Sequence, residues 1–307
     1  MKLSVVIPTR ERPDAVLAAV RSCLDQTLAP DAYEIIVVAN PPSPAIEALL
    51  AELARGGGRV AVRYLPCPRL GANAARNVGL VAAHGELLYF IDDDCTLRTR
   101  EQLAHAVALH AAAPATLGLG GIYLSAPRRG WITRFYNAMT ELWLRRNATS
   151  DGGQLVLLGG NAVYKRALVS AGHRFAEELT YGGTETEFNH RLVAAGARLE
   201  LRDELAVVHH FDCRWRALWW RAWRQGAGKR IDTDARELKR RRAATALFRT
   251  ALVNDPRPRS AFWLFVLIYY STALVAGWLA GRRSAPNDPL PPTRTSTKND
   301  VPAVVVQ

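Results

Sequence analysis

The run Leu87-Leu88-Tyr89-Phe90-Ile91 leads directly into Asp92-Asp93-Asp94. An uninterrupted apolar, aromatic and β-branched run of this length reads as a buried strand. Carboxylates crowded at its C-terminal end repel one another and stay ionised comfortably only beside a cation. In an open α/β sheet that edge is also where ligands bind. A solvated acidic turn is the plain alternative. Otherwise the pattern points to a hard divalent ion, Mg²⁺ or Mn²⁺, which takes one or two carboxylates together with the phosphate oxygens of a substrate.

The residues before this run alternate between strand and helix. Strands are expected at Leu3–Ile7, Glu34–Val38 and Val60–Leu65, and helices at Pro13–Leu24, Ile46–Leu53 and Asn73–Ala83. This alternation predicts a parallel, doubly wound sheet. Further on, a helix is expected around Leu103–Leu109, a strand at Leu117–Leu124 and an aromatic amphipathic stretch at Trp131–Leu144. With 307 residues, 49% of them hydrophobic, the chain can bury a sizeable core. The four cysteines, Cys23, Cys67, Cys95 and Cys213, are scattered without a Cys-x-x-Cys pair. They suggest neither a zinc site nor a disulfide framework, and fit a reducing compartment. No cleavable signal peptide is expected before the first strand.

The net charge of +12 suggests an anionic partner: a phosphorylated ligand, a membrane surface or nucleic acid. No nucleic-acid-binding signature accompanies it, so nucleic acid is not expected. Much of the charge falls between Arg214 and Arg259, including Lys239-Arg240-Arg241-Arg242. Within this region Arg214 to Arg224 interleaves tryptophan with arginine, and a helix there puts Trp215, Trp219 and Trp223 on one face, as an interfacial helix on an anionic leaflet requires. Packing against the catalytic domain is the alternative. Ala261 to Ala280 carries no charge. At ~1.5 Å per residue it just reaches across a ~30 Å hydrocarbon core, with Trp263 and Trp278 near its ends. A buried core helix or a shallow insertion is the alternative. The tail 281–307, rich in Pro, Thr, Ser and Asn, reads as disordered. The organisation expected is therefore a catalytic domain at 1–212, a basic Trp/Arg region at 213–260, a candidate transmembrane helix at 261–280 and the tail.

Four segments accompany the aspartates. Val5 to Ile7 ends in Pro8-Thr9-Arg10, where the backbone and Thr9 can meet a nucleotide. Gly71 to Gly79 opens a helix with small residues and places Arg76 for a phosphate or a carboxylate. Gly159-Gly160-Asn161-Ala162-Val163-Tyr164 reads as a glycine-led turn into a helix, and Gly160 lets the backbone approach a ligand closely. Gly182-Gly183-Thr184-Glu185-Thr186-Glu187 starts another helix, which continues through Arg191. There Glu185 and Glu187 either cap the helix or, for one of them, accept a proton from a hydroxyl.

In this order and spacing the segments resemble the family 2 glycosyltransferases with the GT-A fold. The resemblance covers about Lys2 to His210. It implies a Rossmann-like α/β architecture, a mostly parallel central sheet flanked by helices, followed here by a C-terminal helical membrane-associated segment. It implies inverting transfer of a sugar from a nucleotide-sugar donor to an acceptor hydroxyl. Asp92 and Asp94 match the family's Asp-x-Asp motif, with Asp92 expected near the ribose, Asp93 beside it and Asp94 on the metal. Glu185 matches the catalytic base, Glu187 the following acid, and Arg191 the basic residue one turn on. Asn161 matches a position lining the pocket, and His209 a histidine near the metal. Pro8, Thr9, Arg10 and Arg76 are expected on the donor.

One departure stands out. The second strand usually ends in an acid that contacts the base, whereas here Val37-Val38 leads to Ala39-Asn40-Pro41-Pro42, leaving Asn40 as the candidate base contact. With the C-terminal segments, the expected acceptor is a glycan or lipid-linked molecule at the cell membrane, with the catalytic domain on the cytoplasmic side. A non-catalytic nucleotide-sugar-binding protein and a nucleotidyltransferase are the rival readings.

Overall fold

The computed structural model describes residues 1–127, 130–179, 184–231 and 261–280. Gly182-Gly183, the Lys239–Arg242 run and the tail lie outside them. The first half alternates as its periodicity predicts: β1 (Leu3–Thr9), α1 (Pro13–Leu24), β2 (Tyr33–Ala39), α2 (Pro44–Arg55), β3 (Ala61–Pro66), α3 (Ala72–Ala82) and β4 (Leu87–Ile91). There follow β5 (Cys95–Leu97), α4 (Gln102–Ala112), β6 (Thr116–Gly120), β7 (Tyr123–Ser125), α5 (Trp131–Arg146), β8 (Asn161–Lys165), α6 (Ala167–Ser170), α7 (Thr184–Ala194), β9 (Arg198–Leu201), β10 (Val207–His209), α8 (Trp215–Ile231) and α9 (Ala261–Ala280).

Seven strands form one sheet in the order β3-β2-β1-β4-β8-β6-β9. All run parallel except β8, which is antiparallel to both β4 and β6. Successive side chains of a strand face opposite sides, and both sides are covered here. Val5, Ile7, Ile35, Val37, Tyr89 and Ile91 pack beneath α1, α2 and α4. Val6, Ile36, Val38, Leu88 and Phe90 pack against α3 and α7. Coverage of both faces is why these strands read as unbroken apolar runs.

Two expectations are corrected. The stretch 117–124 is not one strand but two, β6 and β7, in different sheets. The break falls at Gly120-Gly121, where a Cβ on Gly121 would lie 2.0 Å from the Leu205 carbonyl oxygen. The Gly159-Gly160 turn leads into a strand rather than a helix. Asn161 to Tyr164 is wholly buried between β4 and β6, and Val163 and Tyr164 suit that position.

A second sheet, β5-β10-β7, stands at the C-terminal end of β4. Beyond it α8 and α9 pack against each other. The Tyr269 hydroxyl donates to the Trp215 carbonyl at 3.1 Å, and the Tyr270 hydroxyl donates to Gln225 Oε1. Among the described residues no helix is long and apolar enough to cross a membrane. The middle of α9 carries four hydroxyl-bearing residues, Tyr269 to Thr272.

His110, on α4, lies in the core with Nε2 3.1 Å from the Val163 carbonyl oxygen and Nδ1 unpartnered. Burial pushes its pKa down from 6.5 to about 4. The folded protein therefore holds it neutral, while the unfolded chain takes up a proton below its ordinary pKa. Its contribution is whole above about pH 6.5 and is lost as pH falls towards 4, by on the order of 3 kcal/mol. In His110→Phe the decline of Tm across this window should be visibly shallower than in the wild type. Equal slopes in thermal unfolding at stepped pH would show that other groups carry it.

Candidate active site

The carboxylates at the end of β4 diverge: Asp92 meets Arg76, while Asp93 and Asp94 share Arg12. Asp92 turns toward α3. The Arg76 guanidinium donates to its Oδ1 at 3.3 Å and the Tyr123 hydroxyl to its Oδ2 at 3.2 Å. Burial, then the charge of Asp92, holds the Tyr123 phenol well above its usual range, so it stays a donor. The Asp92 side chain lies against the Gly160 backbone: a Cβ there would sit 2.0 Å from Asp92 Cγ. The backbone N–H of Asp92 donates to the Gly160 carbonyl at 3.1 Å. Only glycine permits that approach.

Asp93 points into the protein and is 2% exposed. The Thr9 hydroxyl donates to its Oδ2 at 2.6 Å, and Arg12 holds it through Nε, at 3.1 Å, and a second nitrogen. Burial raises its pKa, against the pull of Arg12 and Thr9.

Asp94 divides its two oxygens. Oδ2 accepts from Arg12 at 3.0 Å, and Oδ1 lies 3.5 Å from His209 Nε2. Burial alone would raise its pKa, but His209 and Arg12 outweigh it and keep this carboxyl well below the usual range. The other ring nitrogen of His209, Nδ1, is 3.0 Å from Asn137 Oδ1, and Asn137 Nδ2 donates to Ser125 Oγ at 2.9 Å. That bond makes Nδ1 a donor to Asn137 and turns Nε2 toward Asp94. The ring is stacked between Tyr123 and Phe211, at centroid distances of 4.5 and 5.4 Å.

Asp94, Cys95 and His209 bring their ligand atoms within 4.8 Å of one another. Burial and the charge of Asp94 raise the Cys95 thiol's pKa, and its soft sulfur is a poor ligand for a hard cation. The carboxylate and imidazole left over suit Mn²⁺ or Mg²⁺, whose remaining positions go to water and phosphate oxygens. The donor set and the orientation of His209 thus fit such an ion.

Glu185 sits in the first turn of α7, half-buried, with Oε2 accepting from the Thr184 hydroxyl at 2.5 Å. A Cβ on Gly159 would lie 3.2 Å from Glu185 Cβ and 3.0 Å from an Arg76 nitrogen, so Asp92, Arg76, Gly159, Gly160 and Glu185 form one patch. The turn carrying Glu185 is pinned by Asn189, which donates to the Glu185 and Leu157 carbonyls at 2.7 and 3.2 Å. Glu187 pairs with Arg191 four residues on.

Other expected site residues are engaged within the protein. Pro8 is buried in β1, and Arg10 is exposed just beyond its end. Asn161 is fully buried, with Oδ1 accepting from the Tyr89 hydroxyl at 2.9 Å and Nδ2 donating to the Leu205 carbonyl at 2.9 Å. Asn40 ties down the loop before α3. Its Nδ2 donates to the Cys67 carbonyl at 2.9 Å and to the Arg69 carbonyl, and its Oδ1 accepts from the Gly71 N–H at 2.8 Å. Gly71 has φ 135°, a backbone open to glycine. The sequence reading passed over Arg12, Tyr123 and Asn137. For Arg12 a signal existed: it directly precedes Pro13 at the start of α1, within reach of the end of β1.

The mixed sheet thus carries its carboxylates at the C-terminal edge of β4, with the Gly160 backbone against Asp92. The chain belongs to the glycosyl transferase family 2, whose sequence model matches residues 4–172, more than half of its length. It is similar to the glycosyltransferase AglE of Haloferax volcanii, at 21% identity over 207 residues, 67% of this chain and 66% of that one. The chain thus spans about two thirds of that relative. Among solved structures it resembles a mannosyltransferase of Pyrobaculum calidifontis in complex with GDP-Man and Mn²⁺, with 18% identity, a TM-score of 0.62, and coverage of 92% of this chain and 87% of that one. It also resembles S. aureus TarS 1–349 in complex with UDP-GlcNAc, with 16% identity, a TM-score of 0.52, and coverage of 89% and 82%. These likenesses establish a GT-A-like fold.

The Asn40 bonds yield a prediction. Two carbonyl oxygens face Nδ2, so the position demands a donor, and an acid there would set its charge against them. Asn40→Asp should cost about 2 kcal/mol and weaken nucleotide binding. Thermal unfolding and nucleotide titration of this variant check it; a gain in either would show that Asn40 stands in for a base-reading acid.

Proposed function

We propose that the protein transfers a sugar, with inversion, from a nucleoside-diphosphate sugar to an acceptor hydroxyl. The observation that carries this reading is the patch in which Arg76 and Gly160 position Asp92 with Glu185 alongside, beside the Asp94–His209 pair two residues on. Asp94 and His209 would hold a divalent ion, which when bound supplies Lewis-acid stabilisation of the departing diphosphate. Arg76 and Asp92 orient the donor, and alignment of the two substrates contributes much of the acceleration. Glu185 takes the proton of the attacking hydroxyl. The relatives' printed ligands, GDP-Man with Mn²⁺ and UDP-GlcNAc, support a nucleotide-sugar donor.

Replacing Glu185 by Gln should lower kcat by roughly 10²- to 10⁴-fold while donor affinity stays within a few fold. Asp94→Ala should abolish metal-dependent nucleotide binding. Titration of UDP, GDP, dTDP and CDP with and without Mn²⁺ measures the second effect and identifies the base. A wild type that binds none of them favours the non-catalytic reading, and a Glu185→Gln enzyme of full activity removes Glu185 as the base.

The acceptor we propose is a lipid-linked or nascent envelope glycan, used at the cytoplasmic face of the cell membrane. Support comes from the C-terminal helices. Arg216 and Trp220 are exposed on α8, Arg214 just before it, and Ile268 and Val275 on α9, a basic and apolar mixture suited to an anionic interface. The full chain should float with vesicles containing anionic lipid and much less with neutral ones. Indifference to both would remove the membrane from the proposal.

A further inference from the structure

Three adjacent carboxylates need compensation, and among the described residues two arginines bond to them directly. Arg76 serves Asp92. Arg12 serves the other two: it is bidentate on Asp93, through Nε and one terminal nitrogen, and its remaining terminal nitrogen reaches Asp94 Oδ2 at 3.0 Å. All three donor nitrogens of the guanidinium are thereby used on acids. The anchor is firm because Asp93 is buried and also accepts the Thr9 hydroxyl. Arg12 itself is half exposed, so it stands at the lip of the site.

The split of the Asp94 carboxylate follows from this clamp. With Oδ2 held by Arg12, the group cannot turn about its final bond, and Oδ1 is left facing His209 Nε2. We propose that Arg12 is a positioning residue for the metal-binding carboxylate: anchored on buried Asp93, it fixes Asp94 so that one oxygen meets the cation jointly with His209. This rests on the metal-site reading above. The guanidinium lies on the opposite oxygen from the one offered to the ion, so orientation outweighs repulsion between the two cations. A lysine offers one compact point charge and cannot bridge both acids as a planar fork does.

The test is Mn²⁺ binding without nucleotide, followed by the EPR signal of the free ion, on wild type, Arg12→Gln, Arg12→Lys and Asp94→Ala. Arg100→Gln, which removes an exposed pair with Asp25, serves as the control. Arg12→Gln should weaken Mn²⁺ at least tenfold, Arg12→Lys should recover part of the loss, and Arg100→Gln should bind as wild type. Should Arg12→Gln fail to fold, Arg12→Lys carries the test, with weakening of about threefold or more at unchanged Tm. Equal or tighter binding by a folded Arg12 variant overturns this inference alone, because it would make Arg12 a bystander or a competitor. A wild type whose Mn²⁺ binding is absent or survives Asp94→Ala overturns the metal-site reading and this inference with it.

Discussion

The mutual repulsion of Asp92, Asp93 and Asp94 is the constraint around which the site is arranged. Three carboxylates on consecutive residues cannot all face one cleft without compensation. The fold solves this by dispersing them. Asp92 turns to Arg76 on α3, Asp93 goes inward to Thr9 and Arg12, and Asp94 goes outward to His209. Each partner comes from a different element, so the ends of β1, β4, α1, α3 and β10 must meet at one edge. The parallel order β2-β1-β4 brings the first of these together. The glycine at 160 then lets β8 close against Asp92 from the other side.

The strands were legible because both sheet faces are buried. Leu87–Ile91 and Ile35–Ala39 are apolar at every position and wholly buried, so composition alone marks them. The same signal fails for short segments. Gly159 to Tyr164 offers two glycines and four further residues, too few to separate a period of 2 from one of 3.6, and its place between β4 and β6 decided the outcome. The expected strand at 117–124 failed for a related reason: local sequence does not show that Gly121 must pass against the Leu205 backbone.

Site residues divide along the same line. Asp92, Asp94, Arg76 and Glu185 stand in compact motifs whose chemistry is local, and the structure gathers Asp92, Arg76 and Glu185 into one patch. What could not be read is pairing across distance. Arg12 meets Asp94 over 82 residues of chain, and Asn137 meets His209 over 72. Asn40 shows the converse. Its position suggested a base contact, yet its side chain is matched to carbonyls of a loop 27 and 29 residues away. That amide is committed to the backbone of the loop before α3.

The small second sheet explains why His209 can serve Asp94 at all. β10 runs antiparallel to β5 with His209 opposite Cys95, and the His210 N–H donates to the Asp94 carbonyl at 2.7 Å. This register sets the histidine one position away from the aspartate across the ladder, close enough for the side chains to converge. On its other side β10 runs parallel to β7, with His209 opposite Ser125, whose hydroxyl holds the Asn137 amide that orients the ring. Tyr123, two residues earlier on β7, both stacks on His209 and bonds Asp92. A slip of one residue in β10 would turn His209 to the opposite face, separating it from Asp94, Asn137 and Tyr123 together. The nine residues of this sheet therefore act as one part, coupling Asp92 to the Asp94–His209 pair through Tyr123. That coupling helps hold the two ends of the aspartate run in fixed relation.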